Sequence, residues 1–120
     1  MGKKYVIELI EKWLPRLGLN EWIINVEVVE KLHKIDKRCE AEIEEDIKYL
    51  EADMTVYSSF WNNDARHQEI NIVHELVHLM FCRLHKHLSP SGDETLEEVV
   101  QRTAMLFYKT YNGKRQKRRN

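Results

Sequence analysis

The stretch His74-Glu75-Leu76-Val77-His78 constrains this chain more than any other, because it lies in a long run of helical periodicity from Asp64 to about His87. Residues four apart on a helix lie one turn above each other on the same face. Two imidazoles at this spacing can bind one metal ion, and the glutamate between them points toward the open side of that metal. Zinc (Zn2+) is the expected ion, because it takes nitrogen and carboxylate ligands and keeps a position for water in catalytic sites. The alternative is a helix with two incidental histidines beside its apolar stripe.

The composition predicts one small globular domain. The chain has 120 residues, of which 42% are hydrophobic and 32% charged, with a net charge of -1 and two cysteines. No apolar run approaches the roughly 20 residues that a membrane span needs. Two cysteines do not make a disulfide framework, and the N-terminus lacks the pattern of a signal peptide, so we expect a cytoplasmic protein. Nothing in the sequence indicates an oligomer, and a monomer is the default expectation.

The C-terminal tail is basic, with five Lys or Arg residues among positions 114–119. We expect residues 1–111 to form the domain and residues 112–120 to form a disordered tail. Basic tails can bind the phosphate backbone of nucleic acids. No aromatic residues alternate with these charges as a base-stacking surface would need, so a nucleic-acid-binding protein is the least favoured function.

The periodicities predict an α+β fold with the order α-β-β-β-α-α. Apolar residues at three- and four-residue spacing indicate the helices, and alternation indicates the strands. A short turn should pair the second and third strands as an antiparallel hairpin, and we expect a mainly antiparallel three-stranded sheet packed on the motif helix and a following Glu-bearing helix. The predicted elements are a helix over residues 3–17, strands over 22–29, 39–47 and 50–58, a helix over 64–87 and a last helix from residue 91.

A third metal ligand is expected on the last helix. The spacing that would place a third histidine on the same helix fails, because Phe81 and Leu84 occupy the required Gly and His positions. From His78 the motif helix climbs roughly 13 Å to its end, and a returning helix descends roughly 9–10 Å from residue 91 to residue 97 or 98. Either acidic residue therefore reaches the level of the motif. On a helical wheel Glu97 lies nearer the apolar face, which favours it on geometry alone.

In the stretches His74-Glu75-Leu76-Val77-His78 and Glu98-Val99-Val100 the chain resembles a gluzincin, the thermolysin-like group of zinc metallopeptidases. Its element order is similar to the minimal single-domain form called minigluzincin. The resemblance implies Glu98 as the third ligand, because small or apolar residues follow the ligand glutamate in that family. It also implies that the strand over residues 50–58 is the rim strand that pairs with substrate backbone. One departure is Arg102, which stands where many gluzincins carry an acidic residue supporting a ligand histidine.

The expected function is a zinc-dependent endopeptidase with His74, His78 and Glu98 as metal ligands and Glu75 as the catalytic base. The substrate would be a peptide or a protein. The residue that stabilises the oxyanion is left open. The alternative function is a zinc-binding latent or pseudo-enzyme module, in which the C-terminal tail could fold back over the metal. Cys82 is expected to be a small buried residue rather than a further ligand. The oxyanion candidates are Tyr57, His85, His87 and Arg102.

Overall fold

The structure is a computed structural model that describes the backbone of residues 2–82 and 90–119, and the side chains of these residues except 90, 91, 93 and 113–119. The described elements follow the predicted order α-β-β-β-α-α. They are helix α1 (Gly2–Trp13), strands β1 (Ile23–Val28), β2 (Ala41–Asp46) and β3 (Glu51–Val56), a 3-10 turn (Ser58–Asn62), and helices α2 (Ala65–Met80) and α3 (Pro90–Arg119). The predicted α+β domain is thereby confirmed.

The sheet is mixed, which corrects the expectation of a mainly antiparallel sheet. Its strand order is β1-β3-β2. Strands β2 and β3 pair antiparallel, as the short turn between them predicts, with Ile43 opposite Met54. Strand β1 pairs with β3 in parallel, with Val26 opposite Met54 on the other side. The hairpin could be predicted from local sequence, whereas the partner of β1 depends on a long connection with no sequence signature.

The connection from β1 to β2 passes across the end of β3. The distance from one outer strand to the other is about 10 Å, twice the spacing between neighbouring strands. Backbone hydrogen bonds hold the crossing, from the N–H of Ser58 to the carbonyl of Lys31 at 3.0 Å and from the N–H of Tyr57 to the carbonyl of Glu40 at 2.9 Å. This crossing places β3 in the centre of the sheet and leaves β2 as the edge strand beside α2.

One face of the sheet packs against the helices and the other faces solvent. Along β3, Ala52, Met54 and Val56 are buried, while Glu51 and Asp53 are exposed. Burying this apolar face is the main favourable contribution to folding. The largest fully buried side chains form one core between the sheet and the helices: Val6, Trp13, Met54, Val56, Phe60, Ile72, Val73, Leu76, Val77 and Val100.

Polar contacts fix α2 between α1 and the segment before β2. Lys12 Nζ and Trp13 Nε1 of α1 each donate to Glu69 Oε2 at 2.7 Å. On the other side, the amide groups of Asn63 and Asn71 donate to the carboxylate of Glu40. Glu69 belongs to α2 and Glu40 to the segment before β2; both are half-buried, and hydrogen bonds to a charged group are stronger than neutral ones. These contacts set the rotation of α2, and therefore the direction in which its motif residues point.

Helix α3 includes the backbone of most of the basic tail, whose side chains lie outside the described residues. The division into a domain of residues 1–111 and a tail of residues 112–120 stays a prediction. Among the described helices, none combines the length and the apolar character that crossing a lipid bilayer requires.

Candidate metal centre

The two histidines of the motif lie one turn apart on the face of α2 that is turned toward α3. Their ring centroids are 5.0 Å apart, and their side chains keep 17% and 27% of their exposure. Asp64 caps the start of α2, and its carboxylate accepts a hydrogen bond from the backbone N–H of His67 at 2.9 Å. Such a cap satisfies one of the free N–H groups at the start of the helix. The site is thus built on a capped, packed helix.

A carboxylate from α3 contacts both imidazoles. Glu97 Oε1 lies 2.7 Å from His74 Nε2, and Glu97 Oε2 lies 3.2 Å from His78 Nε2. The Nε2 atoms of both rings therefore converge on one carboxylate group. One turn further along α3, Gln101 contacts His74. Helix α3 therefore runs antiparallel to α2, as the expected return of the last helix required.

The structure distinguishes the positions of the two adjacent acidic residues. Glu97 and Glu98, the latter favoured by the resemblance as the third ligand, are both exposed, so their contacts and not their burial separate them. Among the residues whose side chains are described, the carboxylate bonded to both histidines is that of Glu97. Consecutive residues of a helix point about 100° apart, so only one of the two can face α2. The geometry therefore favours Glu97 over Glu98 as the third ligand.

Gln101 is a site residue that sequence reasoning missed. Its Oε1 lies 2.5 Å from His74 Nδ1. An amide oxygen only accepts, so this contact places a proton on Nδ1, and a metal ion would take the place of the proton through which Nε2 faces Glu97. A second hydrogen bond of this kind normally orients a histidine that binds a metal. The signal was available in the sequence, because Gln101 lies one helical turn after Glu97.

Glu75 is buried beside the two histidines, with 9% of its surface exposed. In the part of the chain that the structure describes, no hydrogen bond or ion pair joins its carboxyl group to another residue. Burial raises the pKa of Glu75 to about 8, with smaller contributions in the same direction from the negative charges of Glu97 and Glu42. A buried carboxylate without a partner is costly, and a nearby cation would offset that cost.

The donor set fits a divalent transition-metal ion. One ligand atom from each of His74, Glu75 and His78 lies within 4.8 Å of the others. Two ligand atoms on a tetrahedral zinc ion, each about 2.1 Å from the metal, lie about 3.4 Å apart. The two Glu97 contacts, at 2.7 and 3.2 Å, are shorter than this spacing, and the 55% exposed Glu97 side chain has room to move outward when an ion enters. Residues that can hold a metal ion are therefore present, while the donors leave the identity of the metal open.

Two cavities meet at Glu75. The larger, of about 410 Å³, extends past His74, Gln101 and Asn71. The smaller, of about 210 Å³, extends past His78 and the inner side of β2. Water and part of a larger ligand can therefore occupy the space on either side of the glutamate. The edge strand at this site is β2, and both sides of β3 are already paired within the sheet. The expectation that residues 50–58 form the substrate-pairing rim strand is therefore wrong.

The candidates for stabilising the oxyanion, and Cys82, lie in different parts of the molecule. The hydroxyl of Tyr57 donates to Glu42, and burial, together with this hydrogen bond, raises the pKa of Tyr57 to about 12. Arg102 is exposed on α3. Cys82 is buried and lines the smaller cavity with His78. His85 and His87 lie outside the described residues.

A second group of potential ligands lies near the edge of the sheet, where His33, Cys39 and Glu42 approach one another. The backbone N–H groups of Ile35 and Asp36 donate to His33 Nδ1 at 3.1 and 2.9 Å. The ring proton is therefore on Nε2, which donates to Glu42 at 3.1 Å. A metal ion on Nε2 would require this proton to move to Nδ1, where it would face two N–H donors. Hydrogen bonds thus account for this cluster, and they hold the connection over residues 29–40 against β2.

Comparison with protein-family models, with curated proteins and with solved structures finds no match for this chain. What the structure shares with the expected gluzincin site is the spacing of His74, Glu75 and His78 and their grouping into a cluster that could hold a metal ion.

Proposed function

We propose that this chain is a zinc metallopeptidase that binds its metal through His74, His78 and Glu97. The observation that carries the proposal is the convergence of both Nε2 atoms on one carboxylate of the returning helix. The buried carboxyl group of Glu75 lies beside them without a partner in the described part of the chain. An unpaired buried carboxyl destabilises the fold, so a helix with two incidental histidines would have no reason to keep one between them.

With Glu97 as the ligand, the departure at Arg102 loses its importance. The residue four positions after Glu97 is Gln101, and its side chain contacts His74 Nδ1. In the gluzincins that the chain resembles, an acidic residue at this spacing supports a ligand histidine. An amide oxygen can orient the ring in the same way, although it attracts the ring proton less strongly than a carboxylate does. With Glu97 in place of Glu98 as the ligand, Gln101 stands at the spacing at which the family's supporting residue contacts a ligand histidine.

A bound zinc ion would supply a Lewis acid that makes water nucleophilic near neutral pH. In the reaction, Glu75 accepts a proton from the attacking water and later delivers it to the leaving amine. Gln101 holds the ring of His74 in the orientation that presents Nε2. Among the described residues no strand pairs with the outer side of β2, and an extended peptide can add to such an edge. In this proposal, β2 takes the substrate-pairing role that the resemblance implied for residues 50–58.

The test is peptide cleavage by the full chain purified without chelator, with zinc content measured on the same sample. We expect one zinc per chain and cleavage that stops after chelation and returns with zinc. Glu75→Gln should keep the zinc and lose about 10²–10⁴-fold in cleavage rate, the usual contribution of general acid-base catalysis. Glu98→Gln is the matched control, because it removes the same charge from an exposed position.

Deleting residues 112–120 separates an inactive protein from a latent one. Cleavage that appears only after the deletion would support a peptidase that its tail inhibits. Zinc without cleavage in both the full and the shortened chain would refute the proposed activity and favour the alternative, a metal-binding module.

A further inference from the structure

The smaller cavity beside the metal centre has apolar walls and one additional acidic residue. Its volume is about 210 Å³, and it opens next to the catalytic Glu75 and the metal-binding His78. Ile43, Phe81, Cys82 and Leu96 supply the walls, and Glu45 supplies the acidic group. Among these described residues no lysine or arginine is present to neutralise that carboxylate.

Glu45 stands where the alternation of the strand calls for an apolar side chain. Ala41 and Ile43 face the helices, and Glu45 is the third residue on that side of β2. It is half-buried, and its sheet partner Ala52 is 2% exposed. The neighbouring Glu44 points the other way and is exposed. A carboxylate on the inner face of a sheet loses part of its hydration, which costs free energy unless a partner compensates for the loss.

No such partner comes from the described part of the chain, where no hydrogen bond or ion pair reaches the Glu45 carboxylate. A partner supplied by the substrate would have to be cationic. Apolar walls beneath a single carboxylate suit a side chain with a methylene stem and a charged end. A lysine side chain has five heavy atoms, which occupy roughly 150 Å³ if each takes the volume of a liquid water molecule, about 30 Å³. The cavity of about 210 Å³ can therefore hold it.

We infer that this cavity receives a basic side chain of a peptide substrate, with Glu45 pairing its charged end. The inference rests on the proposed peptidase function, because it takes the occupant to be part of a peptide. It names the substrate class as peptides with lysine, or the longer arginine, next to the bond that reacts. Glu45 is then the residue that determines specificity.

Binding can be measured separately from cleavage in the full chain carrying Glu75→Gln, so that no bond breaks during the measurement. The probes are two fluorescent hexapeptides that differ at one position, lysine in one and norleucine in the other. Norleucine keeps the alkyl stem and lacks the charge. We expect the lysine peptide to bind about three- to tenfold more tightly, the range for an ion pair that is partly exposed to water.

Adding Glu45→Gln should remove this preference and leave the affinity for the norleucine peptide within about twofold. Adding Glu44→Gln, which removes the same charge from the opposite face of β2, should preserve the preference. Equal binding of the two peptides, absence of binding by both, or equal effects of the two substitutions would overturn the inference.

Cleavage of the same peptides by the unmodified chain distinguishes this inference from the proposed function. Lysine-dependent binding through Glu45 without any cleavage would refute the peptidase and leave the basic-residue pocket standing. Cleavage without a preference for lysine in binding would refute the pocket and leave the peptidase standing.

Discussion

The burial of Glu75 predicts how stability depends on pH when no metal is bound. Burial raises the pKa of Glu75 from 4.5 to about 8. The folded protein therefore binds a proton that the unfolded chain releases between these two values. A raised carboxyl pKa contributes stability that is fully present below pH 4.5 and is lost as the pH rises toward 8. Above pH 8 the loss is complete, because the folded protein then carries the buried charge.

The magnitude follows from the size of the shift. The difference between 4.5 and 8 is about 3.5 pKa units, and each unit corresponds to 1.36 kcal/mol, so the full loss is on the order of 5 kcal/mol. Most of it falls between pH 5 and pH 9, on the order of 4 kcal/mol. This is a large share of the 5–15 kcal/mol by which small domains are stable. Glutamine at position 75 mimics the neutral carboxyl group and does not ionise, so Glu75→Gln should not show this loss.

The assay is urea unfolding of the metal-free protein and of metal-free Glu75→Gln at pH 5, 7 and 9, followed by tryptophan fluorescence. Because all other ionisable groups are the same, the difference between the two proteins isolates Glu75. We expect the variant to gain stability relative to the unmodified chain as the pH rises, by several kcal/mol between pH 5 and pH 9. A difference that stays within 1 kcal/mol over this range would refute the assignment of Glu75 as a buried carboxyl without a partner.

Three further substitutions test the core, a turn and the metal centre. Met54→Ala should lower the free energy of unfolding by about 2–5 kcal/mol, because Met54 is fully buried at the centre of the sheet; a loss below 1 kcal/mol in urea unfolding would contradict its position. Gly18→Ala should cost about 1–2 kcal/mol in the same assay, because Gly18 has a φ of +70°, which strains a residue that carries a Cβ. An added Cβ would contact nothing within 4 Å, so no steric clash adds to this cost. Unchanged stability would contradict that backbone conformation. Gln101→Ala should weaken zinc binding about 10–100-fold in a competition with a chelator while the fold stays intact, and unchanged affinity would show that the contact with His74 does not support the metal centre.

Local patterns in the sequence were sufficient to predict the order of helices and strands. Alternation along β2 and β3 and the short turn between them specify a hairpin, because both signals lie within a few residues of the pairing they determine. The place of β1 could not be predicted in this way. Its parallel pairing with β3 depends on a connection over residues 29–40 that crosses the end of the sheet. Sequence reasoning from nearest neighbours therefore missed the mixed sheet, and the rim position that the resemblance implied for residues 50–58 is wrong because β3 is the central strand.

In the candidate site, too, some residues could be predicted from local sequence and others depend on how the helices pack. His74, Glu75 and His78 lie within one helical turn, so their grouping follows from the geometry of the helix alone. The choice between Glu97 and Glu98 depends instead on how α3 is rotated against α2, and a one-residue difference rotates the side chain by about 100°. The helical wheel favoured Glu97 because it lies nearer the apolar face of the last helix. The resemblance favoured Glu98, and the contacts of the folded chain involve Glu97.

The central claim is that a metal ion is held between α2 and α3 by His74, His78 and Glu97, and zinc affinity in a matched pair of variants tests it most directly. The measurement is zinc bound per chain in competition with a chelator, for the unmodified protein, Glu97→Gln and Glu98→Gln. We predict one tightly bound zinc in the unmodified protein and in Glu98→Gln, and at least a tenfold weaker affinity in Glu97→Gln, which loses a charged ligand. No zinc in the unmodified protein, or weakened binding in Glu98→Gln with full affinity in Glu97→Gln, would contradict the proposed metal centre.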